Sequence, residues 1–195
     1  MSSRPYHHGN LRAALLEHAE RTLREEGAQA LTLRGLAREA GVSHGAPRRH
    51  FPDRQALLDA LAVAGFERLR VQLEAAAGSG GGASAQLRAL AQTYMDFATT
   101  HPALLELMFT GKHRPGAEAV YAAAERALGV PLAVITALQA EGELAPGDSA
   151  RLGRVAFAAF HGLATLAGGG MLPPQELREA VGDTVETLLV GMRKR

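Results

Sequence analysis

The sequence predicts an all-α protein of about nine helices, with a small N-terminal three-helix domain at 1–53 and a larger helical domain at 54–195. Hydrophobic residues fill 47% of its 195 positions, ample for a packed core. Ala, Leu, Arg and Glu dominate, and all four are good helix formers. Alternating runs of Val, Ile, Thr and aromatics, the mark of strands, are missing.

The first helix is expected from Leu11 to Glu26, because Leu11, Leu15, Ala19 and Leu23 recur at spacings of four and Gly27 can stop it. Thr32 is a natural N-cap for a short helix through Ala40, with Leu33, Leu36, Ala37 and Ala40 as its apolar stripe. Gly41 suits a tight turn needing positive φ, and Val42 can plug the space beneath. Ser43 can cap a third helix, roughly His44 to His50. Pro47 sits within it where its ring would crowd a carbonyl, so a distorted first turn or a cap shifted to His44 is expected.

Pro52 and Asp53 mark the next boundary, with a long helix from Arg54 to about Ala77. The stretch GSGGGAS at 78–84 has linker composition. A phosphate-cradling loop would need a strand before it and a Lys after it, and neither is present. Further helices are expected at 85–100, 102–110, 117–140, 149–168 and 174–192, with Pro102 and Pro173-Pro174 at helix starts. Thr110 to Gly116 (TGKHRPG) is a basic surface loop, and Gly129-Val130-Pro131 is a candidate kink.

There is no cysteine, so disulfides and Cys-based zinc sites are excluded, which suits a cytoplasmic protein. The polar segment Met1–Asn10 has no apolar core of the kind a secretory signal needs. Val155 to Leu172 is the most membrane-like stretch, but His161, Thr165 and four glycines interrupt it; it is read as core, and no membrane is expected. Residues 1–54 carry nine Arg against six acidic groups, net +3, while the remainder is net −2. Five of the eight His also fall in the first part: His7, His8, His18, His44 and His50. A basic head on a slightly acidic body suits an anionic partner near the N-terminus.

The chemistry-bearing region is Thr32 to Leu58, TLRGLAREAGVSHGAPRRHFPDRQALL. Two short helices joined by a glycine turn, the second rich in cations, form the pattern of a helix-turn-helix, whose second helix enters the major groove. His44 and Gly45 are then the base-facing candidates, Gly45 because it lets the backbone approach closely. Arg48 and Arg49 can reach phosphates or a guanine edge, and His50 beside them is a further DNA-binding candidate. Thr32, Arg34 and Ser43 are placed for phosphate contacts. The helix beginning at Arg54 adds a favourable dipole, and Arg54 counts among the DNA-binding candidates. An ordinary helical hairpin with a solvated basic face has the same periodicity.

Leu11 to Leu61 resembles the N-terminal domain of the TetR family of regulators. The residues that match are AGVS at 40–43, Gly45, the pair His50-Phe51 and the run Ala56-Leu57-Leu58. The resemblance implies a transcriptional regulator, most simply a repressor released from a double-stranded DNA operator by a small-molecule effector, and acting as a homodimer. It also implies that Phe51 is core. The family usually has an aromatic residue, most often Tyr, where this chain has Arg48, at a position that contacts the phosphate backbone; Arg keeps the contact as a charge. Tyr6–Arg12 and Phe160-His161-Gly162 resemble one subgroup, which carries Trp-His-Gly in its C-terminal domain; Phe replaces Trp here.

The last two helices offer an association surface. Leu177, Val181, Val185, Leu188 and Met192 form one stripe, and Phe157, Phe160, Leu163 and Leu166 alternate with small residues on the preceding helix. These faces can pack within one subunit or make a four-helix dimer interface, and the resemblance favours the dimer. Tyr94, Phe97, His101, Met108, Phe109 and Tyr121 are ordinary core by spacing; by resemblance they fall where the family, with its fourth helix, encloses an effector. His161 in its apolar helix is read as a satisfied interior histidine, with a pocket polar group as the alternative, and the few polar groups point to a mainly apolar ligand.

No cofactor is expected, and His7-His8 lacks carboxylate or Cys partners at metal-ligand spacing. Enzyme signatures are missing: HExxH, GxSxG and the dinucleotide glycine fingerprint do not occur. Gly111-Lys112 comes nearest to a phosphate loop, but Glu106 stands where its first Gly belongs and His113 where Ser or Thr should be. A helical ligand-binding or adaptor protein without DNA affinity is the remaining rival class.

Overall fold

A computed structural model of the chain describes residues 11–192. Among the described residues it has eight α-helices and no strand: α1 (Leu11–Glu26), α2 (Leu33–Glu39), α3 (Arg54–Ala77), α4 (Ala83–Thr100), α5 (Pro102–Thr110), α6 (Glu118–Ala140), α7 (Ser149–Gly168) and α8 (Pro174–Met192). Short 3-10 segments occupy Ala28–Ala30 and Pro47–Arg49. Two compact units emerge. The first holds the described residues up to Gly65 together with Ala103–Tyr121, and the second holds Phe66–Pro102 with the described residues from Ala122 onward.

In the first unit α1 packs on α2, and α2 on the 3-10 segment Pro47–Arg49. Leu15, Ala19 and Leu23 bury the predicted stripe of α1, and Leu36 and Ala37 that of α2. Glu39 at the end of α2 ties the two together, lying 3.5 Å from His18 Nδ1 and 3.6 Å from Arg21. The Thr32 hydroxyl caps α2 by accepting from the Gly35 N–H at 3.0 Å. At the other end Gly41 takes φ +66, and the N–H groups of Gly41 and Val42 return to the carbonyls of Arg38 and Ala37. That is a Schellman closure, and it needs a residue free to adopt positive φ.

The first turn of α3 is capped by Asp53, whose carboxylate accepts from the Ala56 N–H at 2.8 Å. Further along α3, a Cβ added at Gly65 would stand 2.6 Å from the Met108 sulfur, so the missing side chain is what lets α5 lie so close. The basic loop after α5 is pinned to α3 by Arg114, which donates to both oxygens of Asp59 at 2.6 and 2.9 Å.

In the second unit α4, α7 and α8 pack on one another. Their core includes Ala91, Ile135, Leu138, Leu144, Val185, Leu189 and Met192, with Phe160 and Leu188 packed against it. Leu177 and Val181 are buried too. The stripe expected to meet a second subunit therefore lines the chain's own core. The physical reason is that α4 and α7 offer the same unit enough apolar surface to cover it.

Gly82 gives α4 no side-chain cap, and Glu143, 60 residues away, supplies one by accepting from the Ala83 N–H at 2.6 Å. Among the described residues, the helix long and apolar enough to cross a bilayer, by length and composition, is α6 rather than the 155–172 stretch singled out from sequence. It carries Pro131 without interruption, and its Arg126 is ion-paired with Glu67 of α3.

Neighbouring residues on α8 give a stability test. Leu189→Ala, at a site 2% exposed, is expected to cost about 2–5 kcal/mol in urea unfolding, whereas Val190→Ala, 68% exposed, stays within about 0.5 kcal/mol of wild type.

Candidate nucleic-acid interface

The sequence predicted a short helix from His44 to His50. The structure has turns at 44–46 followed by a single 3-10 turn, Pro47–Arg49. Proline explains the difference. Pro47 has no N–H to return to Ser43 and its ring would crowd that carbonyl, so an α-helical start is blocked. The backbone closes through i→i+3 bonds instead: Ala46 N–H to Ser43, Arg49 N–H to Ala46 and His50 N–H to Pro47, at 2.9, 3.2 and 3.0 Å. The expected Ser43 cap is replaced by its carbonyl, since no side chain caps the 3-10 turn.

This compact segment sorts its side chains cleanly. Pro47 and Phe51 are buried, while Ser43, His44, Gly45, Arg48, Arg49 and His50 are all exposed. Gly45 has a φ outside the left-handed region and nothing within 4 Å of a Cβ built on it. Neither backbone strain nor packing inside the chain requires glycine there. Thr32 and Arg34 are exposed on the first turn of α2, so eight of the nine predicted contact residues lie open to solvent.

The ninth, Arg54, is engaged elsewhere. Its Nε donates to the Leu31 carbonyl at 2.9 Å and its Nη2 to the Ala28 carbonyl at 2.5 Å. Arg12 is a residue the sequence reading missed. It is exposed on α1, and its guanidinium stands 5.4 Å from the Phe51 ring, adding a cation beside the Arg48–His50 run. Its one legible signal was its place in the Tyr6–Arg12 stretch. His7 and His8 lie outside the described residues, and among those described no three His, Cys, Asp or Glu cluster as metal ligands.

The residues expected around an effector separate by unit. In the second, Tyr94 and His161 meet at 2.7 Å between the phenol oxygen and Nδ1. Burial pushes the Tyr94 phenol above its ordinary pKa, so it stays protonated beside the ring nitrogen. Phe157, expected at a dimer interface, stacks on His161 at 5.1 Å and meets Tyr94 edge-on at 6.1 Å. Phe97 is buried, with the His101 ring 5.2 Å away.

In the first unit Met108 is fully buried and Phe109 lies under the Lys112 ammonium at 4.9 Å. Tyr121 is 42% exposed and tilted against His113. Burial also pulls the Lys112 pKa down.

A small helical unit that exposes cations around a glycine turn, in a chain whose larger unit is also helical, has the build of a helix-turn-helix regulator. Residues 15–61 match the model of bacterial regulatory proteins of the tetR family, and 87–191 match the tetracyclin repressor-like C-terminal domain. The chain belongs to the TetR family of DNA-binding transcriptional regulators.

A protein of unknown function from Rhodococcus sp. RHA1 is 48% identical, over 98% of this chain and 100% of that one, with a TM-score of 0.91. A TetR-family transcriptional regulator from Streptomyces coelicolor is 26% identical, over 95% of this chain and 97% of that one, with a TM-score of 0.73. A TetR-family structure from Mesorhizobium loti shares the fold at 17% identity, covering 97% of this chain and 100% of that one, with a TM-score of 0.79. No curated protein is significantly similar to the chain.

Gly41 before the reading segment and Gly45 within it separate folding from binding. Gly41→Ala is expected to lose about 1–2 kcal/mol of stability because of its positive φ. Gly45→Ala is expected to keep full stability, or gain about 0.5 kcal/mol, while weakening binding to duplex DNA about tenfold. Thermal melts and a DNA titration on both variants check the pair.

Proposed function

We propose that the chain is a cytoplasmic, homodimeric repressor that holds a double-stranded DNA operator and releases it when a small, mainly apolar effector binds. The observation that carries this is the exposed run from Ser43 to His50, cationic on its outside and anchored by buried Pro47 and Phe51. Within it His44 and Gly45 face base edges, and Arg48, Arg49 and His50, with Thr32 and Arg34, hold phosphates. Effector binding shifts the dimer between two states that differ in the spacing of their reading heads.

Tyr94, Phe97, His101 and His161, joined by Phe157, are the groups assigned to the effector. The Tyr94–His161 bond supports this, since a hydrogen-bonded polar pair among aromatic rings can orient a mostly apolar ligand. Phe160-His161-Gly162 is read as the counterpart of the Trp-His-Gly motif, which gives the chain its subgroup.

The dimer surface assigned here replaces the buried α8 stripe. On α7, Val155, Ala159, Gly162 and Leu166 follow one another at helical spacing on the side opposite buried Ala164. Val155 and Leu166 are 51% and 38% exposed, and a Cβ at Gly162 would meet nothing. Small residues between larger apolar ones let a second copy of α7 approach closely.

Titration of the purified chain against duplex DNA flanking its own gene, at several salt concentrations, tests the reading. Selective binding with a steep salt slope is expected, and Arg48→Ala and Arg49→Ala are each expected to flatten that slope by about 0.9. Equal, weak binding to every duplex would refute it. The double variant Val155→Glu, Leu166→Glu is expected to elute as a helical monomer in size-exclusion chromatography with light scattering; an intact dimer would place the interface elsewhere.

A further inference from the structure

We propose that Arg54 is a positioning residue for operator reading: it fixes where α2 begins, and through α2 the reading segment, without itself touching DNA. The inference rests on the regulator reading above and concerns one side chain that reading leaves without a role.

At the first position of α3, a cation beside a candidate DNA surface would ordinarily be taken for a phosphate contact. Two of its nitrogens are turned inward instead. Nε and Nη2 form a fork on the carbonyls of Leu31 and Ala28, 23 and 26 residues earlier. Leu31 is fully buried, so its carbonyl has no access to bulk water and needs a protein donor.

The anchor is placed where it has leverage. Arg54 follows Asp53, whose carboxylate fixes the first turn of α3. Leu31 precedes Thr32, whose hydroxyl caps α2. α2 in turn packs against Pro47–Arg49. A single guanidinium thus links the start of α3 to the start of α2, and the exposed cations of 48–49 ride on the far side of that link. A planar fork serves two carbonyls at fixed angles, whereas a Lys ammonium is a flexible point donor with a shorter reach.

Arg54→Lys and Arg54→Gln, compared with wild type, distinguish positioning from phosphate contact. Each full-length protein is titrated with the duplex flanking its gene and with a scrambled duplex of equal length, at several salt concentrations. Hydrogen exchange of the free proteins reports on the amides of 31–36.

For a positioning residue, both variants lose at least about tenfold in the ratio of selective to scrambled affinity. The salt slope stays at the wild-type value, and the amides of 31–36 exchange faster. For a phosphate contact, Arg54→Lys behaves as wild type while Arg54→Gln flattens the slope by about 0.9 on both duplexes. That result, or unchanged exchange at 31–36, overturns the proposal. If Arg54→Gln does not fold, Arg54→Lys decides alone, because only positioning predicts lost selectivity with the charge retained. A selective wild type with an unaffected Arg54→Lys refutes this proposal by itself, whereas a wild type that prefers no duplex refutes the regulator reading and this proposal together.

Discussion

A reading segment of seven residues cannot hold its own shape. Isolated helices shorter than about 12 residues are marginal in water, because nucleation fixes several dihedrals for each hydrogen bond gained. In this chain Pro47 removes one of the few bonds available, and the segment 43–49 falls back on i→i+3 closure. Its conformation therefore depends on what lies beneath and on either side. Pro47 and Phe51 are buried, and Arg12 covers the Phe51 ring. Before the segment comes the Schellman turn at Gly41, and after it the Asp53-capped start of α3. The cations can be fully exposed because none of the holding falls to them.

Much of this architecture was legible in the sequence. α1, α3, α5, α7 and α8 begin and end at the predicted residues. Apolar stripes mark α1, α7 and α8, and recognisable stops or starts mark others: Gly27 after α1, Asp53 before α3, Pro102 opening α5 and Pro174 opening α8. The 44–50 segment was less legible, although Pro47 announced its distortion, since propensity does not say whether a blocked α-turn will wind more tightly or open. Glu143 was illegible as a cap for α4, because the two ends of that bond are 60 residues apart.

The site residues divide in the same way. Exposure of Thr32, Arg34 and the 43–50 run follows from their polarity and from the turn chemistry around them. Arg54 could not be read, because its partners are backbone carbonyls and carry no side-chain signature. The α8 stripe shows a different limit. Apolar residues at helical spacing report that a face is covered, not whether the cover comes from the same chain. Val185 and Met192 are covered by the chain's own core, while the α7 face with Val155 and Leu166 remains open. In the second unit, His161 lies half-buried in an apolar helix, and its partner, the Tyr94 phenol, comes from a helix 67 residues away in sequence, which periodicity does not reveal.

The most direct test of the account is a footprint of the full-length chain on the DNA flanking its own gene. Two reading heads related by a dimer axis predict two protected half-sites of inverted sequence, their centres separated by one helical turn (about 10 base pairs) or a multiple of it, on one face of the duplex. A single protected patch with no symmetry, or uniform weak protection along the fragment, would contradict it.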